Sequence, residues 1–304
     1  MMMKPTVSAN ALRAIGLKEP NLNTNDSYAL TPPDIDETDN PLLATAVNAA
    51  MTGAQVLLGH YQRGVQMRSK EPDATYNLVS DADIESEQAI GRSIAAKFPE
   101  HAILGEEELS GDVSAEHLWI VDPLDGTNNF AHRIPHFAVS IAYYRAGRAE
   151  CGVVVNPVRD DWYWATAGGG AFHNGRRMCV STSTELAQSM IGCGFYYDRG
   201  AMMESTLAAI HAFFKQQIHG IRRFGTAALD LCQVADGLYG AFFEYQLMPW
   251  DFAAGRLIVE EAGGTISSGL GKPLTLQKTC LLARNTHLHA AALDIVRAHH
   301  PFCT

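Results

Sequence analysis

The chain has 304 residues, 47% of them hydrophobic and 18% charged, with a formal net charge of −10. That balance describes a globular protein of one large domain or two intimate ones, and its acidic surplus disfavours coating a nucleic-acid backbone, which needs clustered Lys and Arg. No apolar run approaches the length of a membrane span, and six scattered cysteines without a CxxC pair read as the reduced thiols of a cytoplasmic protein.

In chain order, residues 1–38 read as a flexible extension, because "NLNTNDSYALTPPDIDETDN" is polar, contains Pro and has no period. The start of the chain also lacks the long apolar core of a signal peptide. Regular structure is predicted from Pro41, where Asn40 can cap and Leu43, Val47, Ala50, Ala54, Leu57 and Tyr61 form a helical stripe. A second helix is predicted to start at Ser80, with Asp83 three residues on, Ile90, Ile94 and Phe98 on one face, and Pro99 at its end. Its first-turn acids, Asp81, Asp83 and Glu85, suit the helix dipole. Strands are predicted in "HAILG" and at 118–121. "FAVSIAYY", "ECGVVVN" and "DWYWATA" add antiparallel strands, and "GGGAFHNG" reads as a glycine-rich turn. After residue 184, strands and helices alternate to the end. The pattern predicts an α/β (α+β) protein of two intimately packed subdomains, 39–183 and 184–304.

The chemistry concentrates where strand 118–121 meets Asp122-Pro123-Leu124-Asp125-Gly126-Thr127. A helix opening at Thr127 would aim the amides of Gly126 and Thr127 at an anion, and Gly126 allows close backbone approach. Acidic groups beside an anion site need a cation between them. Two carboxylates about 4 Å apart repel by roughly 4 kcal/mol at an effective dielectric near 20. Oxygen ligands from protein and phosphate together are what Mg²⁺ prefers. DPxDG alone is equally an Asx-type turn around Pro123. Gly105-Glu106-Glu107-Glu108 after one predicted strand, and Trp250-Asp251 opening a helix, make a shared metal site the better fit.

"GEEE", "WIVDPLDGTNNF" and "WDFAAGRLIVEEAGG" resemble the three signature segments of the inositol monophosphatase family of Mg²⁺-dependent, lithium-sensitive phosphatases. "NLVSDAD", "GGGAFHNG" and "RRFGTAALDLCQVADG" extend the resemblance over about residues 41 to 299. It implies a layered αβαβα fold and commonly a homodimer. By resemblance, Glu106, Asp122 and the Leu124 carbonyl hold one Mg²⁺. Asp122, Asp125 and Asp251 hold a second, and a weaker third shares Glu106 through water. Thr127 with Asp83 orients the attacking water, which Glu106 helps to activate. Gly126 and Thr127 grip the phosphate. Asn77 stands where the family often has Asp, and Lys70 matches a family lysine only approximately.

For the substrate, the resemblance gives Ala227 and Glu244 contacts to a polyol ring and counts Asp125 among the substrate-binding residues. This favours a small phosphorylated metabolite such as myo-inositol 1-phosphate. Histidinol phosphate, fructose 1,6-bisphosphate and 3′-phosphoadenosine 5′-phosphate are the alternatives within the family. A regulatory protein that binds the transcription machinery while keeping the phosphatase fold is the alternative from another class. No membrane partner is expected.

Overall fold

Asn40 accepts the Leu43 amide through its side chain at 3.0 Å and so starts helix α1 (Pro41–Arg63), with Pro41 at the first helical position. The computed structural model describes residues 28–64, 67–69 and 78–301. Asn77, Lys70 and most of the 1–38 extension lie outside the described residues. By length and composition α1 could cross a membrane, which the sequence reading did not foresee; 61% of its apolar window is buried inside the protein. Helix α2 (Asp81–Lys97) begins with a reciprocal cap. Ser80 Oγ accepts from the Ala82 amide, and Asp83 Oδ2 accepts from the Ser80 amide at 2.8 Å.

Two sheets organise the rest. The larger has the order β3-β4-β5-β6-β7-β8-β9, built from Ala102–Gly105, His117–Asp125, Ala138–Arg145, Arg148–Asn156, Asp161–Thr166, Gly170–His173 and Arg176–Arg177. Only its β3–β4 pair is parallel. The smaller has the order β11-β10-β12-β14-β13, from Gly220–Arg222, Met190–Cys193, Ala241–Leu247, Thr279–Arg284 and Thr265–Ser267. A separate short pair joins β1 (Arg68–Ser69) to β2 (Leu78–Val79). Between and around the sheets run α3 (Thr127–Ala131), α4 (Ala201–Lys215), α5 (Ala227–Ala235), α6 (Pro249–Glu261) and α7 (His289–Ala298).

Strand alternation sets the layers. Trp119, Val121, Val139, Ile141 and Val153 pack with α1 and α2 on one face of the large sheet. Leu118, Ile120, Ala142, Tyr144 and Val154 face the opposite way, onto α5 and α6 and through them onto Phe242, Leu281 and Ala283 of the small sheet. Phe243 and Leu282 look outward to Phe213 of α4 and Val296 of α7. The result is the layered αβαβα arrangement. Both faces of the large sheet are covered, so its strands read as unbroken apolar runs rather than alternating ones.

Several local readings differ, the two-residue strands β1, β2 and β9 among them. The glycine-rich turn contains strand β8, Gly170–His173. Strand β13 was not foreseen, because Thr265–Ser267 is too short to show a period. Strand β4 does not stop at residue 121 but continues to Asp125 through a bulge: Asp122 pairs with Ser140 and Asp125 with Ala138. Pro123 has no amide for the ladder and sits inside this irregularity, a position that a strand tolerates.

Candidate active site

That bulge is the first constructive step of the site. Residues three apart in a regular strand point to opposite faces. Here three steps on β4 match two on β5, so Asp122 and Asp125 are opposed by Ser140 and Ala138, which share a face. Both aspartates accordingly line one cavity of about 290 Å³. Gly126 then turns the chain with φ 93°, and a Cβ there would stand 2.7 Å from Thr226 Cγ2. Conformation and space both require glycine at this point.

Three of the four acidic groups accept a backbone amide. Asp122 is buried and accepts the Leu124 amide at 3.0 Å. Asp125 Oδ2 accepts the Ala228 amide at 2.8 Å, in the first turn of α5, where the helix dipole favours an anion. Asp251, in the first turn of α6, accepts the Met248 amide at 2.7 Å. Glu106 follows β3 in a loop held by Glu87. The fully buried carboxylate of Glu87 accepts the amides of Glu107, Glu108 and Leu109 at 2.8, 2.7 and 3.0 Å. Gly105 is needed because a Cβ there would collide with that carboxylate.

Glu106, Asp122, Leu124, Asp125, Gly126, Thr127, Ala227, Glu244 and Asp251 all line the cavity. Asp83 does not. It stands behind Thr127, whose hydroxyl lies 3.3 Å from Asp83 Oδ1 and 3.1 Å from the Leu124 carbonyl. The amide next to Ala227 is already donated to Asp125. Glu244 is a buried member of β12, and a Cβ on Gly194 would strike its carboxylate. Phe195, Tyr196 and Tyr197 add a half-buried aromatic wall, and the exposed Arg223 stands at the rim.

Electrostatics mark the same place. Burial, then Glu106, Asp125 and Asp251, pushes Asp122 well above the usual carboxylate range. Burial and Asp251 likewise push Asp125 up, against the Ala228 hydrogen bond. Carboxylates do not gather out of water unless something neutralises them. Among the described residues no three His, Cys, Asp or Glu side chains are already drawn into a closed cage; the acids ring the cavity wall instead. An all-oxygen set of crowded acids, Asp122 buried and Glu106, Asp125 and Asp251 half-buried, without a lysine in its wall, fits a hard divalent cation.

Sequence reasoning missed Glu87, Asp230 and the aromatic wall. Glu87 had a signal: Asp83, Glu87, Ile90 and Ile94 fall on one helical face, so a glutamate in an otherwise inward stripe needed a buried partner.

The sequence profile of the inositol monophosphatase family matches residues 38–300. The chain belongs to this family. A protein named Nus factor SuhB from Pseudomonas aeruginosa is 40% identical over 86% of this chain and 97% of its own length. A protein named inositol-1-monophosphatase from Rhizobium meliloti is 41% identical over 73% of this chain and 83% of its own. The crystal structure of the extragenic suppressor protein suhB from Bartonella henselae superposes with a TM-score of 0.79 at 36% identity, covering 85% of this chain and 99% of that one.

Proposed function

We propose that the protein hydrolyses a small polyol monophosphate, myo-inositol 1-phosphate being the favoured substrate, with divalent Mg²⁺ in the carboxylate end of the cavity. The observation that carries this reading is the bulge that turns Asp122 and Asp125 onto one cavity, beside Glu106 and Asp251. Glu106, Asp122, Asp125, Asp251 and the Leu124 carbonyl would hold two to three ions. Bound there, Mg²⁺ supplies charge neutralisation for phosphoryl oxygens and a water acidified toward neutral pH.

The chain's own groups do the positioning. Thr127 directs its proton to Asp83 or to the Leu124 carbonyl, which leaves its oxygen free to accept from the attacking water. Gly126 and Thr127 border the phosphate position. Glu244, buried and desolvated, accepts a hydroxyl of the leaving alcohol. Lithium sensitivity, homodimer assembly and a cytoplasmic location belong to the same proposal, on family grounds.

Phosphate release from myo-inositol 1-phosphate, histidinol phosphate and 3′-phosphoadenosine 5′-phosphate with Mg²⁺ tests it. Preferred turnover of the inositol ester supports the reading. Release from none of them contradicts it.

A second reading is supported by the relatives named Nus factor SuhB, at 40% identity over most of the chain. In this reading the chain is a regulatory partner of the transcription machinery, with or without hydrolysis. Co-purification of RNA polymerase with tagged protein, undiminished in Asp122→Asn, would support it. Recovery no better than from an unrelated tagged protein would contradict it.

A further inference from the structure

Phe224 and Gly225 carry the chain from β11 into α5 with few ties of their own. Arg222, Arg223 and Phe224 are exposed, so apolar burial does not fix this loop. Among the described residues, Phe224 and Gly225 make no backbone–backbone hydrogen bond. Yet two parts of the cavity depend on where the loop lies. Arg223 stands at the rim, and just beyond the loop the Ala228 amide holds Asp125 at 2.8 Å.

One side chain reaches across to it. Asn129 sits in the middle of α3, two residues beyond Thr127, buried in the cavity wall. Its Nδ2 donates to the Phe224 carbonyl and to the His136 carbonyl, each at 2.7 Å. Both partners are acceptors, so only the NH₂ of the amide can face them, and both of its protons are used. The Asn129 carbonyl also accepts the Ile134 amide at 2.8 Å. Gly126 marks the same junction. A Cβ there would stand 3.3 Å from the His136 carbonyl oxygen and 3.4 Å from that of Gly225. The turn into α3 and the loop into α5 therefore meet at close range, and Asn129 is the group that joins them by hydrogen bonds. A serine would be too short to reach both carbonyls, and an aspartate would turn oxygen toward oxygen.

We infer that Asn129 is a positioning residue that clasps the loop entering α5 to α3 and, through the Ala228 amide, keeps Asp125 in place for Mg²⁺. This rests on the Mg²⁺ site of the proposed function and deepens it, because a residue outside the donor set then governs the affinity for the cation.

The test follows the melting midpoint of metal-stripped protein as Mg²⁺ is added, which gives an apparent affinity without reference to catalysis. Release of phosphate from 4-nitrophenyl phosphate is measured alongside. Asn129→Leu keeps nearly the same volume and removes both donors. It should weaken Mg²⁺ binding roughly tenfold, the lower end of the loss when a group that orients a metal ligand is removed. Excess Mg²⁺ should then restore kcat to near the wild-type value. Asn285→Leu is the control. Asn285 is another buried clasp, donating to the Ser183 carbonyl at 3.0 Å outside the cavity wall. Its loss should lower the melting midpoint and leave Mg²⁺ affinity unchanged. If Asn129→Leu does not fold, Asn129→Ser takes its place with the same expected loss. Unchanged Mg²⁺ affinity in a folded Asn129 variant overturns the inference. So does an equal loss in Asn285→Leu, which would reduce the effect to general stability. A kcat that stays low at saturating Mg²⁺ overturns it as well, because Asn129 would then act on the reaction itself. Wild-type protein that binds Mg²⁺ but hydrolyses no ester overturns the phosphatase reading, and a tenfold loss of affinity in Asn129→Leu still supports the clasp. Wild-type protein that binds no Mg²⁺ overturns both.

Discussion

The two ends of the cavity are built differently. At the end formed by β3, β4 and the start of α6, Asp122, Asp125 and Asp251 are each tied to a backbone amide, and Glu106 sits in a loop that Glu87 ties down. At the end formed by β10, β12 and α5, Asp230 is buried facing the Tyr239 hydroxyl, Glu244 lies against the bare backbone of Gly194, and Tyr196 and Tyr197 line the wall. One end holds charge in a fixed geometry, as chemistry on phosphate requires. The other presents a buried carboxylate, Glu244, and aromatic side chains, a lining of the kind that suits recognition of an alcohol.

The sharpest break of this contrast comes at the fixed end. Asp122→Asn should lower Mg²⁺-dependent hydrolysis of every substrate by more than about a hundredfold, the scale lost with one preorganised charge-stabilising group. Its metal-free unfolding midpoint should hold or rise as a crowd of like charges is relieved. A loss confined to the inositol ester would erase the distinction between the ends.

Glu87→Ala sharpens the contrast from behind. Losing one carboxylate strands three amides, which should cost about 3 kcal/mol in urea unfolding. Apparent Mg²⁺ affinity should weaken about 10- to 100-fold, as for other groups that orient a metal ligand. Unchanged affinity in a folded variant would detach the Glu106 loop from the metal end.

At the recognition end, Glu244→Gln should lower the inositol-to-aryl ratio of kcat/KM by roughly 10- to 150-fold. Gly194→Ala should do the same, since its new Cβ displaces the Glu244 carboxylate. Equal losses on both substrates would place Glu244 with the metal ligands.

The smallest effect lies away from both ends. His173 lies 3.4 Å from Asp161 and 3.1 Å from Asp236, and these carboxylates raise its pKa to about 9. Burial pushes Asp236 up, but His173 and Arg176 outweigh it and hold its pKa below the ordinary 3.8. The His173 contribution to stability is complete below its ordinary pKa of 6.5 and is lost as pH rises through about 9. The Asp236 contribution is present above 3.8 and is lost as pH falls. Melting should therefore weaken modestly between pH 6.5 and 9, and His173→Gln should flatten that slope. An identical slope in the variant would remove the clasp from the account.

Most of the layered fold was legible, because helical stripes and apolar strand runs are local signals. The acids of the fixed end were legible as well, since Glu106, Asp122, Asp125 and Asp251 all sit at or near element ends marked by Gly or Pro. The bulge was not. A strand that carries Pro123 reads as a strand that has ended, and only pairing with β5 shows that it continues. Asp230 was hidden for a related reason. In "GTAALDLCQVA" it resembles the acid of an exposed helix turn, and only the packing of α5 between two sheets buries it.

The central claim is that the fixed end is a divalent-cation site for phosphoester hydrolysis. Its most direct test is phosphate release from myo-inositol 1-phosphate as Mg²⁺ is titrated into metal-stripped protein. The account predicts no release without metal, saturable release as Mg²⁺ is added, and abolition by a chelator. Release that survives the chelator, or no release at saturating Mg²⁺, would contradict it.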